Sequence, residues 1–206
     1  MPDTTRRRPR LLVTGFSVFP GAPVNPTERL VAALPSRWEE DAGDLRTVCL
    51  EVDYRALPSR LAAIGRDFAP DIAIHFGLSA KASGFVLERV AHNTMCVARS
   101  DNRGFTPTEP CIGEAEERVS GLPLPAIHAA LVERGLPVAY SHSAGDYVCN
   151  YLFYLSCGGV AGFAPRMSGF IHVPHVADRG KPGGLDEEQL LAGAILTART
   201  CCSCRR

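Results

Sequence analysis

Residues 54–77 read YRALPSRLAAIGRDFAPDIAIHFG and combine the two element types from which the fold is predicted. The first part has apolar side chains at the spacing of one helix face: Leu57, Leu61, Ile64 and Phe68. The second part, DIAIHFG at residues 71–77, is a short apolar run that stops at glycine. Such a run is typical of a strand that is covered on both faces. The stretch therefore predicts an amphipathic helix followed by a buried strand.

The same alternation of patterns extends along the rest of the chain. Further strand patterns lie at residues 10–16, 45–52, 84–98, 137–143 and 168–176. Further helical patterns lie at residues 26–30, 125–135, 144–159 and 185–199. Alternating strands and helices predict an α/β fold. We expect a single-domain α/β/α sandwich, in which a twisted, mostly parallel central sheet carries helices on both faces.

The chain is long enough for one well-buried core and short for two, with 206 residues. We predict a basic, flexible N-terminal tail at 1–9, an α/β domain at 10–200 and a Cys/Arg-rich end at 201–206. The motif CCSC at 201–204 is interpreted as a frayed chain end with incidental thiols. No cysteine or histidine pair elsewhere has standard zinc spacing, so we predict no metal site.

Composition excludes several classes of protein. Hydrophobic residues make up 46%, charged residues 21%, and the formal net charge is zero. This balance provides no global charge to attract nucleic acid or a membrane surface. No apolar run is long enough to span a membrane, and the N-terminus lacks the apolar core of a secretory signal. We therefore expect a cytoplasmic protein whose eight cysteines are free thiols.

Two of these cysteines share one predicted helix in SHSAGDYVCNYLFYLSC, residues 141–157. With Ser143 as the N-cap, Cys149 falls in the second turn, near the positive helix end that favours a thiolate. Cys157 lies beside the glycine that stops the helix and is predicted to pack in the core. The pattern leaves open whether Cys149 is a nucleophile or another small buried side chain.

A nucleophilic thiol requires a base and a group that orients the base. His172 comes late in the strand FIHVPHV, at the sheet edge where sites form in α/β folds. His75 lies inside a buried strand and is predicted to be a hydrogen-bonded core residue. Glu88 lies inside the apolar strand FVLERV, where a charge is costly without a partner. It is either an outward-facing strand residue or the carboxylate that fixes a histidine tautomer.

Four separated motifs occur together in this chain: VTGFSVFPG followed by NP, LERVAHN, SAGDYVCNYLFY and GFIHVP. In this order they resemble the pyroglutamyl peptidase I family, cysteine peptidases that remove N-terminal pyroglutamate. The resemblance covers residues 10–198. It implies a Cys-His-Glu triad in which Cys149 is the nucleophile, His172 the general base and Glu88 the orienting carboxylate. It also implies a thioester acyl-enzyme and no metal or organic cofactor.

The same resemblance implies the substrate site. Phe16 and Phe19 are expected to sandwich the pyrrolidone ring, and Tyr147 and Val148 to line the same apolar slot. Leu78 stands where the family usually has a glutamine that helps to hold the lactam. Two positions later, Ala80 and Lys81 replace flexible glycines, and Lys81 adds a positive charge.

These departures leave alternatives to pyroglutamyl peptidase activity. One is a cysteine amidohydrolase of the same fold that acts on another N-terminal cap or a small amide. Another is an inactive homologue that only binds. The expected partner is a peptide with a blocked N-terminus rather than nucleic acid or a membrane. The family often forms dimers or tetramers, so the resemblance also implies a homo-oligomer.

Overall fold

The computed structural model describes residues 7–19, 23–176 and 184–204. The strands are β1 (Arg10–Phe16), β2 (Asp44–Leu50), β3 (Ile72–Leu78), β4 (Phe85–Glu88), β5 (Val90–His92), β6 (Glu117–Val119), β7 (Val138–Ser141) and β8 (Met167–Val173). The helices are α1 (Pro26–Ala33), α2 (Ala56–Phe68), α3 (Leu124–Glu133), α4 (Val148–Gly158) and α5 (Glu187–Ser203). Two short 3-10 turns, Leu34–Arg37 and Glu40–Ala42, lie between α1 and β2.

Six of the strands form the central sheet in the order β2-β1-β3-β8-β4-β7. The first four are parallel to one another, and β4 is parallel to β7. The pair β8–β4 is antiparallel. Strands β5 and β6 form a separate antiparallel ribbon. The predicted α/β fold with a mostly parallel sheet is confirmed, and the reversed pair β4–β7 is the feature that the sequence pattern did not indicate.

Helices cover both faces of the sheet because its buried strands carry apolar side chains on both sides. On β3, Ile72, Ile74 and Phe76 belong to the core under α1, α3 and α5. Ala73 belongs to the opposite core, under α2 and α4. The helix predicted from the apolar spacing that begins at Leu57 is α2. Its C-terminal cap, Ala69, adopts a left-handed conformation with φ of 44°.

The predicted strand at 84–98 is instead two short strands, β4 and β5, followed by a loop. Arg89 separates them, and its N–H donates to Ser141 O at the end of β7. The chain turns away from the sheet at this point, so β5 pairs with β6 rather than extending β4. Loop residues 94–98 then pass close to the start of α4.

The interpretation of CCSC as a frayed end is wrong for its first residues. Helix α5 runs to Ser203, and Cys201 and Cys202 are buried in the core between α5 and the sheet. Burial raises the pKa of the Cys202 thiol to about 11, and burial raises that of Cys201 as well. These thiols are apolar core contacts and not exposed ligands. Among the described residues, no group of three or more metal-ligating side chains is present.

The predicted tail lies partly outside the described residues, since residues 1–6 are not among them. Arg7 pairs with Asp71 at 2.8 Å, and Arg8 donates to Glu40 O. Residues 7–9 are therefore in contact with the domain. None of the helices in the described part of the chain is both long enough and apolar enough to cross a membrane.

Candidate active site

Cys149 is the second residue of α4. The helix begins at Val148 with Tyr147 as its N-cap, so the prediction of Ser143 as N-cap is wrong. Ser143 instead closes a short turn, in which its hydroxyl accepts from Gly145 N at 3.3 Å. Cys149 consequently lies in the first turn rather than the second, where backbone N–H groups lack an intrahelical acceptor. The positive end of the helix dipole is therefore closer to the thiol than the sequence indicated.

The side chain of Asn150 fixes the start of α4. Its amide nitrogen donates to His92 O and Thr94 O, at 2.8 and 2.9 Å, and its oxygen accepts from His92 N at 3.0 Å. Three hydrogen bonds of one fully buried residue tie the first turn to β5 and to the loop that follows it. The role of Asn150 was not predicted, and its position directly after Cys149 is the only signal for it in the sequence.

His172 and Glu88 form a buried pair across the antiparallel strands β8 and β4. Val86 is opposite His172 in the register, so Glu88 is a diagonal neighbour of His172 on the same sheet face. The His172 Nδ1 and Glu88 Oε1 atoms are 2.7 Å apart. Glu88 therefore faces the site rather than the solvent. Its second oxygen, Oε2, is buried without a hydrogen-bond partner among the described residues.

The thiol of Cys149 faces the same imidazole. Burial alone would lower the pKa of His172, because it disfavours the imidazolium. Interactions with the Cys149 thiol and with Glu88 more than offset burial and raise the pKa of His172 to about 9. The imidazolium is thus the stabilised form at neutral pH, which is the protonation state that a neighbouring thiolate requires.

Gly77, near the end of β3, makes room for these groups. A Cβ atom at this position would lie 3.0 Å from Cys149 Sγ and 2.6 Å from the Phe170 ring. The Phe170 ring in turn lies 4.9 Å from the His172 ring, centroid to centroid. The site therefore lies at the carboxyl ends of β3 and β8, where ligands bind in α/β sheets.

A cavity of about 530 Å³ opens over the thiol, the imidazole and Glu88. Three of the predicted substrate-binding residues, Phe19, Leu78 and Tyr147, line it. The other two do not. Phe16 and Val148 are 2% and 1% exposed and pack in the core under α2 and α4. The remaining lining residues are Ser79, Lys81, Ala82, Val86, Arg99, Ser141, Ser143, Ala144 and Gly145.

Arg99 and Tyr147 form one wall of the cavity. The Arg99 guanidinium lies 4.2 Å from the Tyr147 ring centroid and 5.6 Å from that of Phe19. The Tyr147 hydroxyl donates to Ser100 O at 2.7 Å, which fixes the ring to the loop that carries Arg99. Sequence reasoning did not include Arg99 among the site residues, because nothing in its local pattern indicates that this loop meets α4.

Behind the cavity, a chain of buried polar side chains links the sheet to α4. His75 Nδ1 is 2.8 Å from Thr14 Oγ1, and His75 Nε2 is 2.7 Å from Ser156 Oγ. Ser156 is in turn hydrogen bonded to Ser168 on β8. Burial lowers the pKa of His75 to about 3, so the ring is neutral. The structure agrees with the prediction of a hydrogen-bonded core histidine.

Cys157 is not among the residues that line the cavity. Its Sγ is 3.4 Å from Ser168 O, and burial raises the pKa of its thiol to about 12. This placement agrees with the core position predicted for Cys157. The eight cysteines of the chain are all free thiols in the structure.

An α/β sheet that carries a thiol, a histidine and a buried carboxylate in one cavity has the groups of a cysteine-type hydrolase. The profile of the pyroglutamyl peptidase family matches residues 9–182. The pyrrolidone-carboxylate peptidase of Pyrococcus furiosus is 39% identical over 174 residues, which are 82% of this chain and 83% of that protein. The corresponding peptidase of Clavibacter michiganensis is 32% identical and covers 93% and 90%.

The solved structures that resemble this chain come from the same family as its sequence relatives. A crystal structure of the Pyrococcus furiosus pyrrolidone carboxyl peptidase superimposes with a TM-score of 0.84 at 33% identity, covering 93% of this chain and 97% of that one. The structure of the Thermus thermophilus enzyme gives a TM-score of 0.80 at 33% identity, covering 92% and 98%. The chain belongs to the pyroglutamyl peptidase family of cysteine peptidases.

Proposed function

We propose that this chain hydrolyses the N-terminal pyroglutamyl residue from peptides, with Cys149 as nucleophile, His172 as general base and acid, and Glu88 as the residue that orients His172. The observation that supports this proposal is the convergence of the three side chains on a cavity whose walls include Phe19 and Tyr147. Family membership supports the substrate class.

The reaction begins with transfer of the Cys149 proton to His172. Nδ1 of the imidazole is hydrogen bonded to the Glu88 carboxylate, so Nε2 is the ring nitrogen that accepts the thiol proton. The thiolate attacks the pyroglutamyl carbonyl carbon, a C–S bond forms, and the carbonyl oxygen becomes an oxyanion. Backbone N–H groups in the first turn of α4, that of Cys149 among them, are placed to stabilise this charge.

Collapse of the tetrahedral intermediate breaks the C–N bond. His172 gives its proton to the departing amine, and the shortened peptide leaves with a free N-terminus. Water, deprotonated by His172, then attacks the thioester. Breaking the C–S bond releases pyroglutamate and returns the proton to the thiol. Glu88 keeps its contact with Nδ1 of His172 and stabilises the imidazolium each time it forms.

The substrate ring is a neutral lactam without a free amine, so an apolar slot with a few polar groups suits it. We assign the walls of this slot to Phe19, Tyr147 and Leu78. Leu78 has no side-chain amide, so its contribution to lactam recognition is through its backbone. Phe16 and Val148 support the slot from the core, since both side chains are buried.

A panel of chromogenic amides tests the proposal. We expect the pyroglutamyl amide to be cleaved with a kcat/KM at least about 10²-fold above that of prolyl, acetylalanyl and alanyl amides, because the slot accepts a blocked five-membered ring. Preferential cleavage of another capped amide would instead support the amidohydrolase alternative, for which Leu78 and Lys81 are the specific reason. Cleavage of none, with a purified and folded protein, would support the inactive homologue.

The pH dependence of kcat/KM tests the role of His172. Its pKa is raised to about 9, so the proton for the leaving amine is retained below that pH and lost above it. We expect an alkaline limb with an apparent pKa near 9, which moves toward neutral pH in Glu88→Gln because the carboxylate charge is removed. An alkaline limb at the same pH in both proteins would contradict the assigned role of Glu88.

Two further proposals follow from the family and not from the site. We propose that the chain forms a homo-oligomer, dimer or tetramer, and that it acts in the cytoplasm. Light scattering coupled to size-exclusion chromatography measures the first, and a mass equal to one chain of 22.2 kDa would contradict it. Fractionation of the source cells measures the second.

A further inference from the structure

We propose that Asn150 is a positioning residue for the reaction, which holds the Cys149 thiol at the His172 imidazole through chain segment 88–96. The inference rests on the proposed function and adds a residue to its machinery. Asn150 is fully buried and is not among the residues that line the cavity, so it acts through its neighbours and does not touch the substrate.

The stretch of chain that carries Cys149 is hydrogen bonded on both sides of the nucleophile. Before it, Asp146 O accepts from Cys96 N at 2.6 Å. After it, the side chain of Asn150 makes three hydrogen bonds to the backbone of residues 92–94, between 2.8 and 3.0 Å long. The nucleophile therefore lies between two attachments to the same segment of chain.

Segment 88–96 also carries the carboxylate that orients the general base. Glu88 is its first residue, and Glu88 Oε1 lies 2.7 Å from His172 Nδ1. One short, continuous stretch of backbone thus holds the imidazole at one end and the start of α4 at the other. We infer that the position of the Cys149 thiol relative to His172 is set through this stretch.

Several contacts keep segment 88–96 in place. Arg89 N donates to Ser141 O, and Arg89 O accepts from Ser120 N. His92 Nε2 lies 2.7 Å from His142 O, and strand β5 within the segment pairs with β6. A segment that is fixed in this way gives the side chain of Asn150 a defined backbone to bind.

A second group of polar contacts of α4 lies near its C-terminal end. Ser156 is hydrogen bonded to His75 on β3 and to Ser168 on β8. Ser156 follows Cys149 by two helical turns, which is roughly 10 Å at a rise of about 1.5 Å per residue. These contacts fix the body of the helix on the sheet, while Asn150 fixes the turn that carries the thiol.

The expected consequence of losing Asn150 is a misplaced thiol. A shift of about 1 Å in a reacting group can lower the rate by about 10²-fold, because the reacting atoms are no longer aligned. A thiol that moves away from the imidazolium and the helix end also loses thiolate character and reacts more slowly. The walls of the slot, Phe19, Tyr147 and Leu78, remain. The loss should therefore lower kcat and thiol reactivity and leave KM almost unchanged.

Kinetics of Asn150→Ala and Asn150→Ser test the inference, at a temperature well below the unfolding midpoint of each protein. Serine keeps one short donor and brings no charge, so it serves if the alanine variant fails to fold. We expect kcat for a pyroglutamyl amide to fall by about 10²-fold with alanine and at least about tenfold with serine, with KM within about threefold of wild type. Alkylation of Cys149 by iodoacetamide at neutral pH should slow by at least about tenfold. Values of kcat and alkylation rate within about threefold of wild type in the folded variants would overturn the inference.

Ser156→Ala is the matched control on the same helix. It removes a buried hydroxyl with two hydrogen-bonded partners, so it also lowers the thermal unfolding midpoint. We expect its kcat and the alkylation rate of Cys149 to stay within about threefold of wild type, because the first turn of α4 keeps its attachments. If Ser156→Ala lost as much kcat as Asn150→Ala, the loss would follow the stability of the helix, and the positioning role would be wrong.

Failure of this inference is distinguishable from failure of the proposed function, because alkylation requires no peptide substrate. If pyroglutamyl amides are cleaved and the Asn150 variants match wild type, only the inference fails. If no pyroglutamyl amide is cleaved, the alkylation rates decide it. Slower alkylation in the Asn150 variants than in wild type and Ser156→Ala would uphold the positioning role, and equal rates in all of them would overturn it.

Discussion

Replacing Cys149 with serine is expected to lower kcat/KM for a pyroglutamyl amide by at least about 10³-fold, because a hydroxyl in this position is a far weaker nucleophile than a thiolate. The imidazolium of His172, with its pKa raised to about 9, stabilises a thiolate but cannot provide a serine alkoxide to the same extent. A continuous assay of chromophore release measures the loss, and the thermal unfolding midpoint is expected to remain within a few degrees of wild type.

Cys157→Ser is the matched control on the same helix. Burial raises the pKa of this thiol to about 12, and Cys157 is not among the residues lining the cavity. We expect kcat/KM to stay within about twofold of wild type and the stability to fall by about 1 kcal/mol. Iodoacetamide labelling at neutral pH, located by peptide mass spectrometry, should modify Cys149 and spare Cys157. Loss of activity in Cys157→Ser alone would contradict the assignment of the nucleophile.

Acid is expected to destabilise the fold through His75. Its pKa is lowered to about 3 in the folded chain, against an unfolded value near 6.5. Above pH 6.5 the ring is neutral in both states and has no effect on stability. Between pH 6.5 and 3 only the unfolded chain takes up this proton, so the free energy of unfolding falls as pH falls. Titration of His75 alone is expected to lower the free energy of unfolding by roughly 4–5 kcal/mol between pH 6.5 and 3.

Urea unfolding at successive pH values measures this effect in wild type and His75→Gln. The variant is expected to be less stable at pH 7 by about 1–3 kcal/mol, because the hydrogen bonds to Thr14 and Ser156 are disturbed. Its stability should nevertheless depend less steeply on pH below 6.5, since it lacks the titrating ring. Equal slopes in wild type and His75→Gln would contradict the prediction.

The layers of the fold were predictable because the apolar patterns are local. DIAIHFG predicts a strand, and the helical spacing that begins at Leu57 predicts a helix, each from a short segment of sequence. The order of these elements along the chain then predicts a sandwich. The reversal of β4 was not predictable in this way. It depends on where the chain leaves β3 and on pairing with β8, which follows about eighty residues later. The diagonal contact between Glu88 and His172 is a consequence of that pairing.

The catalytic residues could be proposed from the sequence only through the family motifs, and local reasoning misplaced the helix start. Ser143 has the residue type of an N-cap, but Gly145 follows with φ of 80°, so the chain makes a turn before α4 begins at Val148. Phe16 has the residue type of an aromatic wall, but it is the last residue of β1 and its side chain is buried. Burial of this kind depends on neighbours that are distant in the sequence.

The close packing around Gly77 limits how this active site can be altered. A Cβ atom at this position would overlap the Phe170 ring and approach Cys149 Sγ, and in a closely packed site a shift of either group is expected to disturb its neighbours. We therefore expect a larger residue at Gly77 to alter the geometry of the thiol and the imidazole. The adjoining turn carries Lys81, which is exposed at the cavity, and we expect this position to tolerate replacement. New substrate ranges in this chain should accordingly arise through the turn that carries Lys81 rather than through Gly77.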